Sequence, residues 1–342
     1  MLKPLKIKSI RPIGIKTVYD IEVENDHSYI ANGFVNHNSG PMQQIPRVLT
    51  NPDIRRLYYA PKGKFFLEMD YSQAELRIVA ELAKEQVMIK WFNQGYSMHV
   101  ATAALMNKVE YEDIYPITKD ETHPDYKKWN KQKKKAKTVN FGILYGQTKY
   151  KLSEGLTAAT GVKVSEDEAQ EFLDNWLKTF PTVAKWIKLQ HKKVHKFGYV
   201  ENIFGRKRRL PQIYANEFWK VAEAERQSVN SQTQGGSADF TTYSCNTIRE
   251  YELRGLLPLD FNQLILTVHD SQGYYVSPQN IHPAYPILLK IGMGIDLMKY
   301  FKFEMKLVKM KNSVDAGKNW GGLHEYKEGV DYVKFLKELE SK

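Results

Sequence analysis

Two apolar runs about 200 positions apart, each leading into an aspartate, constrain the fold of this chain most. KFFLEM (64–69) reads as a strand; it turns at Asp70-Tyr71-Ser72 into the helix pattern AELRIVAELAKE. NQLILTV (262–268) and GYYVS (273–277) flank His269-Asp270-Ser271-Gln272, the pattern of a β-hairpin with a tight tip. From about 85 to 240 apolar residues recur at helical spacing, as in EAQEFLDNWLKTF and VAKWIKLQ. Beyond the hairpin the pattern predicts a helix over 283–301, a strand over FEMKLVKM (303–310) and a loosely patterned tail. Strands that bracket a long helical stretch predict an α+β chain.

At 342 residues the chain has room for about two domains. No uninterrupted apolar stretch of about 18 residues is present, which argues against a membrane helix. The start, MLKPLKIKSIRPIGIK, lacks the apolar core of a secretory signal. The lone Cys245 excludes an intramolecular disulfide and a multi-cysteine metal site. These features together predict a cytoplasmic protein without a membrane partner. The net charge is +11, and residues 1–38 contribute little of it, with five Lys/Arg against four Asp/Glu. The excess is densest at KWNKQKKKAK (128–137) and GRKRR (205–209), which favours a polyanionic partner.

Asp70 and Asp270 both sit where a strand ends, and spacing alone does not say whether they meet. Two convergent carboxylates would suit a pair of Mg²⁺ ions about 3.5–4 Å apart, the arrangement for in-line phosphoryl transfer. Three segments in order, DYSQAELR (70–77), KKKAKTVNFGILYG (133–146) and VHD (268–270), resemble motifs A, B and C of family A DNA polymerases. MHVATAA (98–104), GYVENIFGRKRRLP (198–211) and ERQSVNSQTQGGSAD (225–239) agree, so the resemblance spans about residues 39 to 325. It implies a right-hand fold with palm over 39–84 and 216–342 and fingers over 85–215. It also implies DNA-directed DNA synthesis on primer–template DNA from dNTPs.

The resemblance assigns the two Mg²⁺ ions to Asp70, Asp270 and the backbone carbonyl of Tyr71. It assigns the dNTP to Gln73, Glu75, His99, Lys133, Lys137, Phe141 and Tyr145. In the family pattern the residue at Glu75 crowds a ribose 2′-hydroxyl. Lys133, Lys137, Phe141 and Tyr145 fall four apart on a helix, close to one face. Two ammonium groups followed by two rings suit a triphosphate with its sugar and base. Arg206, Arg226, Asn230, Gln234 and His269 are implied to contact DNA. Two positions depart from the family. Lys133 stands where Arg is usual, which keeps the charge but loses the two-pronged geometry. Ser271 stands where Glu commonly follows His-Asp; His-Asp-Ser is the pattern of single-subunit RNA polymerases. Glu75 and Asn140-Phe141-Gly142 favour DNA synthesis over that alternative.

The first 38 residues read differently. IKSI, GIKTVYDIEV and HSYIA are short strand-like runs broken by turn residues, and an irregular stretch (39–53) follows. VYDIEVENDHSYIANGFVNHN (18–38), with Ser39 next, resembles the last two blocks of an intein. Asn38 can close on its own carbonyl through its side-chain nitrogen and so cut the 38–39 bond. His37 can polarise that carbonyl or protonate the departing amine, and His27 can shuttle protons. Ser39 supplies the hydroxyl on which the transferred chain becomes an ester. No intein N-terminal half precedes this segment, so a separate N-terminal polymerase and N-intein polypeptide is expected as partner, with splicing in trans. The chain as a whole thus resembles the C-terminal half of a split, intein-bearing family A DNA polymerase, with a bacteriophage as the expected source. The remaining alternative is a non-catalytic nucleic-acid-binding remnant with an inactive intein.

Overall fold

The computed structural model describes residues 28–31, 34–37, 55–258, 264–327 and 329–341. The chain divides into two units, Met1–Ile45 and Pro46–Lys342.

In the first unit, strands β1 (Ser28–Ala31) and β2 (Phe34–His37) pair antiparallel, Ser28 opposite His37 and Ala31 opposite Phe34. This is the pairing expected of HSYIA followed by Asn32-Gly33, the dipeptide that two-residue hairpins favour. His37 ends β2. His27, Asn38 and Ser39, the runs IKSI and GIKTVYDIEV and the stretch 39–53 lie outside the described residues.

The second unit is built on β3 (Phe65–Tyr71), the middle strand of a five-stranded antiparallel sheet. Its helices up to the sheet's return are α1 (Ala74–Ala83), α2 (Gln86–Asn93), α3 (Met98–Asn107), α4 (Tyr111–Ile114), α5 (Tyr126–Leu144), α6 (Lys149–Thr160), α7 (Glu166–Thr179) and α8 (Pro181–Phe197). A small hairpin of β4 (Tyr199–Glu201) and β5 (Lys207–Arg209) follows, then the 36-residue α9 (Phe218–Leu253). The chain re-enters the sheet as β6 (Leu264–Val268) and β7 (Ser271–Val276). It crosses α10 (Pro278–Gly292) and α11 (Leu297–Phe301), adds β8 (Asn312–Gly317) and β9 (His324–Glu325), and reaches α12 (Tyr332–Ser341). The strand order is β6-β7-β3-β8-β9. Among the described residues no helix is long and apolar enough to cross a membrane.

Period-two alternation along β3 sets the two faces of the sheet. Phe65, Leu67, Met69 and Tyr71 join one core with Phe240 and Tyr243 of α9 and with Ile281, Leu288 and Ile291 of α10. Phe66, Glu68 and Asp70 take the other face. A second core, with Leu76, Met88, Met98, Ile143, Leu156, Trp176, Phe180 and Val229, holds the helical block together. α9 contributes to both cores, so it ties helices to sheet.

Two expectations for the C-terminal part need correction. The helix expected over 283–301 begins five residues earlier, and it breaks after Gly292 where Gly294 adopts φ +90°. FEMKLVKM is not a strand; the strand is β8, in the segment read as loosely patterned. The N–H groups of Lys306, Leu307 and Val308 all donate to the Glu81 carboxylate, at 3.1, 2.9 and 2.9 Å. Consecutive N–H groups of a strand point to opposite sides, so three converging on one carboxylate cannot belong to a ladder. NSVDAG, weak in pattern, is recruited instead by the full length of β3, from Phe66 opposite Gly317 to Tyr71 opposite Asn312. Hydrogen bonds to a charged acceptor contribute about 1.5–3 kcal/mol each, less where water can substitute. We therefore expect Glu81→Ala to lower stability by about 2 kcal/mol in denaturant titration; an unchanged midpoint would show that the clamp is dispensable.

Candidate active site

The fold brings the two aspartates to neighbouring strands. Asp70 on β3 lies opposite Ser271 of β7 on one side and Ser313 of β8 on the other. Asp270 occupies the β6–β7 turn, between the paired Val268 and Ser271. His269 adopts φ +55°, the left-handed conformation that a tight hairpin tip demands and that few non-glycine residues take. The Tyr71 N–H donates to the Asp270 carbonyl at 3.3 Å, which fixes the tip beside the end of β3. The Tyr71 ring turns to the core, where its hydroxyl meets Ser244 Oγ at 2.6 Å and burial drives its pKa well up.

Glu68 was not singled out in the sequence, although alternation puts it on the Asp70 face. Its Oε1 accepts from Ser271 Oγ and from Trp320 Nε1, both at 3.0 Å. The departure at position 271 is thus answered by a carboxylate from the adjacent strand. Asp315, opposite Glu68, is pushed up to about 6 by burial, with Glu68 adding to the rise.

Glu75, in the first turn of α1, accepts from the Tyr145 hydroxyl at 3.0 Å, and its Oε2 is buried without a partner. Burial, helped by the nearby Asp270, pushes Glu75 up to about 7 although the Tyr145 hydrogen bond works the other way. Folding therefore favours protonated Glu75. That stability is complete below pH about 4.5 and is lost as pH rises through about 7, on the order of 3 kcal/mol. Glu75→Gln should flatten the decline between those pH values in melting curves taken at each pH. Parallel curves for the two proteins would contradict the assignment.

Lys137, Phe141 and Tyr145 share one face of α5 and its end. Lys137 Nζ lies 5.7 Å from the Phe141 ring centroid, and the Phe141 and Tyr145 rings stack at 5.7 Å. Lys133, one turn earlier, is half-buried; burial, Lys119 and Lys137 all push its ammonium down. His99 of α3 stands 5.6 Å from Phe141 and is only 8% exposed. Burial, then Lys137 and Lys133, drive it to about 3, so it is neutral at ordinary pH. Asn140 sets its tautomer. The Asn140 Oδ1 accepts from Trp176 Nε1 (2.7 Å) and Thr102 Oγ1 (3.2 Å), leaving its Nδ2 to donate to His99 Nδ1 at 3.1 Å. The proton then sits on Nε2.

Gln73, which the resemblance assigns to the dNTP, stands just before α1. Its Oε1 accepts the Met98 N–H at 2.9 Å, satisfying one of the free donors at the start of α3. Its side chain links α1 to α3.

Along α9, Arg226, Asn230 and Gln234 fall at four-residue steps. Arg226 pairs with Glu223 (Nε 3.0 Å) and packs on Gly146, where an added Cβ would meet its Cγ at 2.8 Å. Asn230 Oδ1 is buried without a partner, and the Gln234 side chain lies near enough to the Tyr145 hydroxyl to offset part of the rise that burial causes. The face therefore reaches the end of α5. Arg206, between β4 and β5, donates to Asp239 Oδ2 (2.8 Å) and the Gly235 carbonyl (3.1 Å), docking that hairpin on α9. His269 is exposed at the hairpin tip.

Among the described residues no group of three or more His, Cys, Asp or Glu is placed to hold a metal ion. Asp70 and Asp270 offer a pair of hard oxygen donors. That suits Mg²⁺, which is commonly held by one or two carboxylates with water and substrate phosphate completing its shell.

Comparison with known proteins identifies the family. The model for DNA polymerase family A matches residues 15–322, starting upstream of the boundary expected at residue 39. Thermostable DNA polymerase I of Thermus aquaticus is 30% identical over 278 residues, which are 78% of this chain and 31% of that protein. DNA polymerase I of Chloroflexus aurantiacus is 29% identical over 292 residues, 85% of this chain and 28% of its own length. The chain thus spans about a third of the length of the curated relatives it matches. Its fold resembles the POL domain of Pol1 from M. smegmatis, solved in complex with DNA primer-template and dNTP. The TM-score is 0.64 at 23% identity, covering 82% of this chain and 45% of that one. With the family's model matched over most of its length, the chain belongs to DNA polymerase family A.

Proposed function

We propose that this chain is the carboxylate-bearing part of a DNA-directed DNA polymerase, extending a primer 3′-OH with dNTPs on primer–template DNA. The juxtaposition of Asp70 with the Asp270 turn carries the reading. The sheet and its flanking helices (39–84 and 216–342) act as palm, and the helical block (85–215) as fingers. Two Mg²⁺ ions at Asp70, Asp270 and the Tyr71 carbonyl would lower the pKa of the attacking hydroxyl and neutralise charge on the leaving phosphate. The remaining work falls to side chains of this chain. Lys133 and Lys137 grip the triphosphate, with His99 donating from Nε2 as a neutral imidazole. Phe141 and Tyr145 support base and sugar. Glu75, drawn toward α5 by Tyr145, closes the space where a ribose 2′-hydroxyl would go. Arg226, Asn230, Gln234, Arg206 and His269 face the duplex; the unpartnered Asn230 Oδ1 supports a minor-groove donor as its partner. Gln73 contacts the dNTP while its Oε1 holds α1 against α3.

The His-Asp-Ser triplet favours one second reading, ribonucleotide polymerisation. It predicts comparable incorporation of rNTPs and dNTPs, whereas the Glu75 gate predicts strong preference for dNTPs.

We further propose that residues 1–38 form the C-terminal part of a split intein, of the kind a bacteriophage gene carries. Asn38, His37, His27 and Ser39 would perform the cleavage and ligation that join residue 39 onward to a separate N-terminal polypeptide. Mixing this chain with that polypeptide tests both readings. A ligated product lacking residues 1–38, with primer extension appearing alongside it, is the expected result. Stable halves and no new band refute the splicing; a ligated but inactive product refutes the polymerase.

A further inference from the structure

Ser271 follows Asp270 in the chain and lies opposite Asp70 in the β3–β7 pairing. Whatever fixes Ser271 therefore fixes how the two carboxylate-bearing positions stand to each other. Its side chain is buried, with Oγ 3.1 Å from the Val268 carbonyl and 3.0 Å from Glu68 Oε1. A hydroxyl carries one hydrogen, so these two acceptors share it. The first contact closes the His269-Asp270 tip on itself. The second ties that tip to β3.

Glu68 is in turn held from its far side. Trp320, in the β8–β9 connection, donates from Nε1 to the same Oε1 at 3.0 Å. That indole is buried and packed by three neighbours. Its ring stacks on Phe66 at 6.3 Å, meets the Tyr58 ring edge-on at 5.5 Å and lies 3.9 Å from the Arg55 guanidinium carbon. The Trp320 N–H donates to the Tyr58 carbonyl at 3.0 Å. Opposite Glu68 on β7 stands Gly273, which carries no side chain, and Glu68 reaches past it to the diagonal Ser271. One carboxylate oxygen thus joins two packed elements to the Asp270 turn. An anionic acceptor bonds more strongly than a neutral one. An apolar residue at position 68 would leave Ser271 to Val268 alone and strip the buried Trp320 Nε1 of this acceptor.

We propose that Glu68 is a positioning residue for the two aspartates: by fixing Ser271 it holds the Asp270 turn at a set distance from Asp70. The carboxylate that the family commonly carries at position 271 is replaced by one that acts on position 271 from β3. The inference rests on the reading of Asp70 and Asp270 as the reaction centre.

Amide hydrogen exchange on the full chain tests the holding, and single-turnover primer extension by the ligated product tests its consequence. The Tyr71 N–H, which donates to the Asp270 carbonyl, reports the position of the turn. Glu68→Ala should speed exchange at Tyr71 by about fivefold. It should slow the chemical step about tenfold, with DNA affinity unchanged. Ser271→Ala, which leaves the Glu68–Trp320 bond intact, should do the same, and the double variant should be no slower than the slower single one. Glu68→Gln keeps a carbonyl oxygen for both donors and should recover most of the rate and of the protection. Unchanged Tyr71 exchange in both alanine variants overturns the inference. Faster exchange with an unchanged rate constant also overturns it, because the turn would then move without consequence. An unmodified ligated product that extends no primer overturns the polymerase reading instead, and the exchange data still decide whether Glu68 holds the turn.

Discussion

Asp270→Asn should cost the ligated polymerase about 10³-fold in kcat, close to 4 kcal/mol of transition-state stabilisation, while primer–template binding changes little. The substitution is nearly isosteric. The turn it sits in is fixed by the Tyr71 N–H on the residue 270 carbonyl and by the Val268–Ser271 pairing, and neither depends on the carboxylate. What is lost is one of two anionic oxygen donors. Asp70→Asn should behave alike, and the double variant should be scarcely slower than either single one, because the two residues act as a unit. Single-turnover primer extension with DNA affinity measured in parallel separates chemistry from binding. A variant with unchanged rate would identify the chain as a nucleic-acid-binding remnant. The same variants carry a second signal: removing the Asp270 charge should let Glu75 titrate lower, since Asp270 is one of the groups that raises it.

The second large effect belongs to the head of the chain. Asn38→Ala should abolish the ligated product, because only an amide side chain one bond from the 38–39 carbonyl can close the ring that cuts it. Ser39→Ala should stop ligation while still allowing release of residues 1–38, and Ser39→Cys should support it, a thiol being a competent acceptor. Intact mass measurement of the mixed halves distinguishes these products. Product of unchanged mass from Asn38→Ala would remove the intein reading and leave the polymerase reading untouched. The boundary itself is open to the same measurement: the family's model begins to match at residue 15, and a ligated product starting at Ser39 would place the junction inside that match.

Much of the fold was legible because its patterns are local. KFFLEM and the NQLILTV–GYYVS hairpin announced themselves by apolar content and turn residues, and α5 by its lysines and aromatics at four-residue steps. The β8 strand was not legible. NSVDAG carries almost no strand preference of its own and becomes a strand only because β3 offers a full row of hydrogen-bonding partners. FEMKLVKM fails for the converse reason: its strand-like composition is outweighed by the Glu81 carboxylate.

The same division runs through the candidate site. The sequence by itself determined which residue types are available and their order: the carboxylates of Asp70 and Asp270, the cation–aromatic face of α5, the polar steps of α9 and the Asn38-Ser39 dipeptide. Those properties travel with covalent neighbours, so spacing reports them. Only the tertiary structure decided that Glu68 answers Ser271, that Gln73 accepts the first N–H of α3, and that Asn140 sets the tautomer of His99. Each of these joins residues well separated in the chain, and each depends on burial or a directed hydrogen bond, which exist only once the segments are packed. The sequence places Asp70 and Asp270 about 200 positions apart. Strand pairing and one left-handed residue, His269, turn that separation into adjacency.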